Sequence, residues 1–154
     1  MPEIPIKAPI VSLFPLRQTG GQWQVLLMRR VGGLDGAWCQ VAGKVEAGET
    51  ASAAALRELK EETGLTPVIL YSADTCEQFY EPATDVITMA PVFVAMVEPD
   101  AQVVLNAEHS AFRWLCFDEA RELVEFGGQR RCLNWIEAEF IQRRPSRHLI
   151  IPLE

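Results

Sequence analysis

A mixed β-sheet held between helices, an α+β fold of the α/β/α sandwich kind, is what this 154-residue sequence predicts. Three observations carry that prediction. Apolar and β-branched runs, punctuated by glycine and proline, recur through the first three quarters of the chain. One run rich in alanine and leucine, both strong helix formers, interrupts them early. Helical spacing then returns only at the end. Strands around one early helix, with further helices last, satisfy the need of each apolar face to be covered by another layer.

The elements follow in order. Ala8 to Phe14 and Gln22 to Arg30 read as two strands, with Thr19, Gly20 and Gly21 between them as the turn of a hairpin. Val31 to Gly36 is a glycine-rich loop, and a short strand is expected around Trp38 to Ala42. Thr50 to Thr63 should be helical, with Gly64 as its C-terminal cap. Pro67 to Ser72 and Cys76 to Tyr80 are strand candidates, and Val86 to Glu98 reads as a long central strand with Pro91 marking a bulge or an edge. Ala111 to Phe117 is a further strand, after which Asp118 suits a helix N-cap. A last helix over Gln129 to Arg143 would bury Cys132, Trp135, Ile136 and Phe140.

Composition bounds the function. The length fits one domain over residues 1–154, and 49% hydrophobic with 23% charged residues is ordinary globular usage. A net charge of -7 disfavours a broad binding surface for duplex nucleic acid. The cysteines Cys39, Cys76, Cys116 and Cys132 show no metal-binding spacing and read as reduced thiols of a reducing compartment. Glu3 with Pro2, Pro5 and Pro9 breaks up any signal-peptide core, and no apolar run reaches the roughly 20 residues a membrane span needs. The expectation is a cytoplasmic protein with no membrane partner.

One segment, GKVEAGETASAAALRELKEETGL from Gly43 to Leu65, carries chemistry. Successive helical residues advance about 100°, so Glu58, Glu61 and Glu62 fall within one arc roughly 100° wide. Ala51 and Ala54 share that arc, and Lys60 lies nearly opposite, so nothing bulky or basic on the same face shields the acids. Like charges so placed repel by a few tenths of a kcal/mol per close pair. A hard divalent cation, which takes oxygen ligands, converts that repulsion into attraction. An acidic helix face taken alone is most often simply solvated.

The whole segment says more. Gly43, Glu49, Arg57, Glu58, Glu61, Glu62 and Gly64, with aliphatic Leu59 and Leu65, stand at the spacing of the Nudix box, without departure at any specified position. The chain therefore resembles the Nudix hydrolases. That resemblance implies the Nudix fold, a mixed sheet between helices, and enzymes that cleave a nucleoside diphosphate linked to another moiety, using Mg2+ or Mn2+ and water attack on phosphorus. It also implies that Glu58, Glu61 and Glu62 hold the metal, that Arg57 orients a box carboxylate such as Glu49, and that Gly43 gives the loop its tight geometry. Glu46 is a weaker metal candidate.

The flanks, LLMRRVGGLDGAWCQVAGKVEAGET, AEHSAFRWLCFDEA and QRRCLNWIEAEF, are similar to the bacterial dATP and dihydroneopterin triphosphate pyrophosphohydrolases. This more loosely defined likeness implies a small nucleoside or pterin triphosphate cut to a monophosphate and pyrophosphate. Enzymes for ADP-ribose, dinucleoside polyphosphates or oxidised nucleotides are the alternatives within the family. A non-catalytic nucleotide sensor is the alternative outside it, against which the complete set of glutamates argues.

Arg30, and with it Arg29, ends a strand where a guanidinium would clamp phosphate oxygens. Glu108, on the loop before a strand, stands where the family often adds a carboxylate as metal ligand or general base; a plain surface acid is the alternative. His109 reads as part of a local hydrogen-bond network. Trp38, Phe79 and Tyr80 are candidates to stack on a heterocycle or else pack the sheet, and Gln40 is a candidate reader of a base edge. The apolar tail from His148 to Glu154 fits an added strand or a homodimer contact.

Overall fold

The computed structural model describes residues 1–34 and 36–153, so Asp35 in the glycine-rich loop and Glu154 at the end of the tail lie outside it. Among the described residues are a mixed sheet of nine strands and three α-helices. Strand β1 (Ile6–Lys7) runs parallel to β7 (Val86–Met96). Strands β2 (Ile10–Thr19) and β3 (Gln22–Arg30) form the hairpin around Gly20 and Gly21, with Thr19 opposite Gln22. Strand β7 also lies parallel to β2, and β6 (Ile69–Glu81) pairs antiparallel with β7. The short strands β4 (Trp38–Cys39) and β5 (Val41–Lys44) attach to β3 and β2, and β8 (His109–Leu115) flanks β3.

Alternation along these strands sends side chains to two cores. Val11, Leu13, Leu26, Met28, Leu70, Phe93 and Ala95 pack on Ala54, Ala55 and Leu59 of helix α1 (Ala51–Thr63). Their alternates, among them Phe14, Leu16, Val25, Leu27, Val92 and Val94, pack on helices α2 (Phe117–Leu123) and α3 (Gly127–Ile136). The sheet thus lies between helical layers, as the sequence order predicted. Each fully buried Leu, Val or Phe contributes about 1.5–3 kcal/mol to holding the layers together.

Local chemistry explains the boundaries. Thr50 caps α1 by accepting the Ala53 N–H at 3.1 Å, and Gly64 ends it with φ 73°, a left-handed conformation that favours glycine. Some expected boundaries need correction. The two strand candidates after α1 are one strand, β6, with a register shift between Ser72 and Cys76. Pro91 faces Cys76 just beyond that shift, where the disturbed ladder tolerates its missing N–H. Cys116, not Asp118, is the N-cap residue of α2, because Asp118 lies in the first turn and pairs with Arg121.

The last helix begins earlier than the glycines suggested. Gln129 turns back to accept the Phe126 N–H at 3.0 Å, which satisfies a donor at the start of α3. The helix stops at Ile136 and continues as a π-helical turn, Glu137–Ile141, that still buries Phe140. Leu133 joins Cys132 and Ile136 in the core, whereas Trp135 is 38% exposed and donates its indole N–H to the Ala73 carbonyl at 2.7 Å. The tail forms strand β9 (Ile150–Ile151) on the edge of β6 in the same chain, which is the added-strand option. No helix among the described residues is long and apolar enough to cross a membrane.

Candidate active site

Helix α1 packs against β5, β2 and β7, and its acidic face is arranged by one arginine. Arg57 grips Glu49 with two bonds, Nε to Oε2 at 2.7 Å and Nη2 to Oε1 at 3.0 Å. Its Nη1 reaches Glu58 Oε1 at 2.8 Å and Glu61 Oε2 at 3.2 Å, and Nη2 also donates to the Lys44 carbonyl at 2.8 Å. The guanidinium therefore ties the loop before α1 to the two acids on it. These bonds hold the Glu49 carboxyl below the usual carboxylate range, with the Glu46 backbone N–H adding to the effect. They raise the Arg57 pKa further above its already high value.

Gly43 acts differently from the expectation. It lies within β5, and a Cβ there would run into the Glu58 carboxyl and approach its Cγ to 2.7 Å. Its absent side chain is a seat for Glu58, a close approach and not a loop conformation.

The three helix acids do not share one exposed face. Glu61 has a side chain 54% exposed, Glu58 is largely covered, and Glu62 is 1% exposed. The arc about the helix axis is as drawn from the sequence; β8 and the segment before it roof over the Glu62 side. Burial raises the Glu62 pKa first, and the neighbouring Glu58 carboxyl, within hydrogen-bonding reach, and Glu108 raise it further, against a backbone N–H from Ala42.

One oxygen of Glu62 is buried with no partner, and so is Nδ1 of His109. Glu62, Glu108 and His109 offer ligand atoms within 4.8 Å of one another. His109 Nε2 stands 3.8 Å from Glu62 Oε1 and 3.7 Å from Cys39 Sγ. Burial lowers the His109 pKa, opposed by Glu108, so the ring is neutral near pH 7. Burial pushes the Cys39 thiol up to about 12, which leaves it uncharged and excludes it as a nucleophile. Orphaned buried acceptors, paired acids and a neutral imidazole are a donor set that fits a divalent cation.

Cys39 also lines a cavity of about 510 Å³ beside α3, a chamber whose link to the acid cluster is the Cys39 thiol next to His109. Trp38, Phe79, Tyr80 and Phe126 supply its aromatic walls, and Arg30 stands at the junction, where its charge is felt by both Cys39 and His109. The guanidinium of Arg29 lies instead against Gly36. Tyr80 donates its hydroxyl to Asp85 at 2.7 Å and presents its ring at the rim.

Gln40 lines the cavity but its amide is spoken for. It is 5% exposed, donates to Ser12 Oγ at 2.9 Å, and accepts from Gln129 Nε2 at 3.1 Å. With these bonds it braces the wall. Sequence reasoning missed Glu77, Phe126, Gln129 and Arg131, which also line the chamber. The alternation of the Cys76 to Tyr80 strand candidate already places Glu77 and Phe79 on one face, but no sequence signal joins Gln40 to a residue 89 positions away.

Comparison with known proteins bears on this geometry. The family model of the NUDIX domain matches residues 7–136, and the chain belongs to that family, the Nudix hydrolases. It is 39% identical to an octanoyltransferase of Myxococcus xanthus over 80% of this chain, but spans only 35% of that protein. It is 33% identical to the asymmetrical bis(5'-nucleosyl)-tetraphosphatase of Rattus norvegicus over 63% of this chain and 67% of the relative. Its fold is similar to that of a C. elegans Ap4A hydrolase (TM-score 0.77, 22% identity, 89% of this chain and 100% of that one). It also resembles the E. coli dihydroneopterin triphosphate pyrophosphohydrolase (TM-score 0.70, 26% identity, 89% and 100%).

Proposed function

We propose that this chain is a Mg2+- or Mn2+-dependent pyrophosphohydrolase that cuts a nucleoside or pterin triphosphate to a monophosphate and pyrophosphate. The observation that carries the reading is the Glu58–Glu62 pair, one helical turn apart, with a buried carboxylate oxygen left without a partner. A pair so placed needs a proton or a cation between its members, and the protein spends Gly43 and Arg57 on keeping it there. A bound divalent cation would neutralise phosphate oxygens and make its water more acidic.

The chain's own residues do the rest. Glu58, Glu61 and Glu62 would hold the cation. Arg30 clamps terminal phosphate oxygens at the cavity mouth. Trp38 and Tyr80, both lining the cavity, stack on the flat ring. Glu108, exposed next to His109, takes the proton of the attacking water as its oxygen bonds to phosphorus and the anhydride P–O bond breaks. Catalysis here is positioning and charge neutralisation more than covalent chemistry. A cytoplasmic setting, where such substrates occur, is part of the same proposal.

A dinucleoside tetraphosphate is the second reading, favoured by the names of the rat relative and of the C. elegans structure. Assay of dATP, dihydroneopterin triphosphate, diadenosine tetraphosphate and ADP-ribose with Mg2+ separates them by product. The expected product is pyrophosphate from the triphosphates, abolished by chelator. Glu61→Gln and Glu62→Gln should each lower kcat about a hundredfold or more. Unchanged turnover in both variants would refute the ligand assignment.

A further inference from the structure

Resting on the reading that the chamber receives the ring of the substrate, we propose that Glu77 selects that ring. Its carboxylate, braced by Gln40 beside Arg131, accepts the ring N–H and the amino group of an isocytosine edge, the edge that guanine and pterin share.

Gln40 and Gln129 satisfy each other and their neighbours, the Gln129 oxygen taking the Phe126 N–H. The Glu77 carboxyl receives only a long bond from Gln40 Nε2 at 3.5 Å, and among the described residues no ion pair meets it. A half-buried carboxylate with so little support costs stability unless donors arrive. Burial accordingly raises the Glu77 pKa, with Arg131 opposing. Donors from a ligand would favour the ionised form.

Position supplies the second half. The space a Cβ would fill on Gly128 lies 3.4 Å from Glu77 Oε2 and 3.7 Å from Arg131 Nη2, so an acceptor and a donor flank one bare glycine inside the chamber. An isocytosine edge presents a carbonyl, a ring N–H and an amine in a row. Arg131 matches the carbonyl, and Glu77 takes both donors in bidentate fashion. Adenine offers one donor and one acceptor there, and hypoxanthine lacks the amine. A site built around a substrate amine rejects the analogue without it by about tenfold or more.

The test compares ligands differing only in that amine. Calorimetric binding of guanosine and inosine 5'-monophosphates to the wild-type chain reads the chamber without turnover. We expect guanosine monophosphate to bind at least about tenfold more tightly, and Glu77→Gln to shrink the ratio below about threefold. Dihydroneopterin triphosphate assayed beside GTP and ITP tells which ring system is favoured; one of the first two must outcompete ITP in kcat/KM if triphosphates are turned over. Preference in binding with no hydrolysis of any of them upholds Glu77 and sinks the catalytic reading. Hydrolysis with equal binding of the two monophosphates, or a ratio unmoved in Glu77→Gln, overturns the proposal and leaves the catalytic reading standing.

Discussion

The acid cluster and the aromatic chamber meet at Cys39 but are assembled differently. Gly43, Glu49, Arg57, Glu58, Glu61 and Glu62 come from one continuous stretch, and helical pitch plus one arginine set most of their geometry. The chamber draws Gln40 from beside β5, Glu77 from β6 and Gln129 from α3, so its geometry depends on sheet register and on how α3 docks. A locally encoded site and a tertiary one are therefore side by side. Substitutions should be able to damage either without the other, and the predictions that follow probe that separation.

The largest expected effect is on the cluster. Gly43→Ala places a methyl group where the Glu58 carboxyl sits, and a strand residue has no easy way to move aside. Glu58 must swing out and lose its place beside Glu62. We expect kcat to fall about 10–100-fold, the range for disturbing the support of a metal ligand, while nucleoside monophosphate binding in the chamber is retained. Stopped-turnover kinetics and calorimetry on the same preparation check both halves. Loss of both functions together would mean that the two regions are one.

An intermediate effect belongs to the chamber. Gln129→Ala removes the partner of the Gln40 oxygen and of the Phe126 N–H, leaving a buried amide short of a bond. The cost should be about 1–3 kcal/mol of stability, read from urea unfolding. KM should rise several-fold with kcat nearly unchanged, since no group of the acid cluster moves. A fall in kcat as large as that of Gly43→Ala would break the distinction from the other side.

The same contrast governs what the sequence disclosed. Helix α1 and its cap at Gly64 were legible because every partner lies within one stretch and helical geometry is fixed, whereas the Arg57–Glu49 pair came from the resemblance to the Nudix box. The hairpin of β2 and β3 was legible for the same reason as the helix. What failed was depth. A helical wheel orders Glu58, Glu61 and Glu62 around an axis but cannot say that β8 covers Glu62, nor that His109 stands over it. Gly43 was assigned to a loop because spacing alone does not show which side chain approaches a glycine. Glu77 was passed over because its meaning depends on Gln40 and Arg131, which lie far from it in the sequence.

The smallest expected effect concerns how the local site holds itself together in acid. Arg57 keeps the Glu49 carboxyl ionised below its ordinary pKa of about 4.3, so the pair favours the folded state fully above that pH. As pH falls from there through the lowered native value, the folded state must take up a proton against the arginine and the contribution disappears. Glu49→Gln, which cannot titrate, should be less stable than wild type at about pH 6, and the gap should close as pH falls below about 4.3 through the lowered native value, read from urea midpoints. Because both side chains are partly solvated, water and salt screen the pair, and the gap should narrow when ionic strength is raised. A gap that stays constant with pH would place the cost in lost packing or hydrogen bonding and not in charge. The chamber offers a control for this reasoning: Gln129→Ala changes no titrating group, so its stability deficit should run parallel to the wild-type curve across the same range.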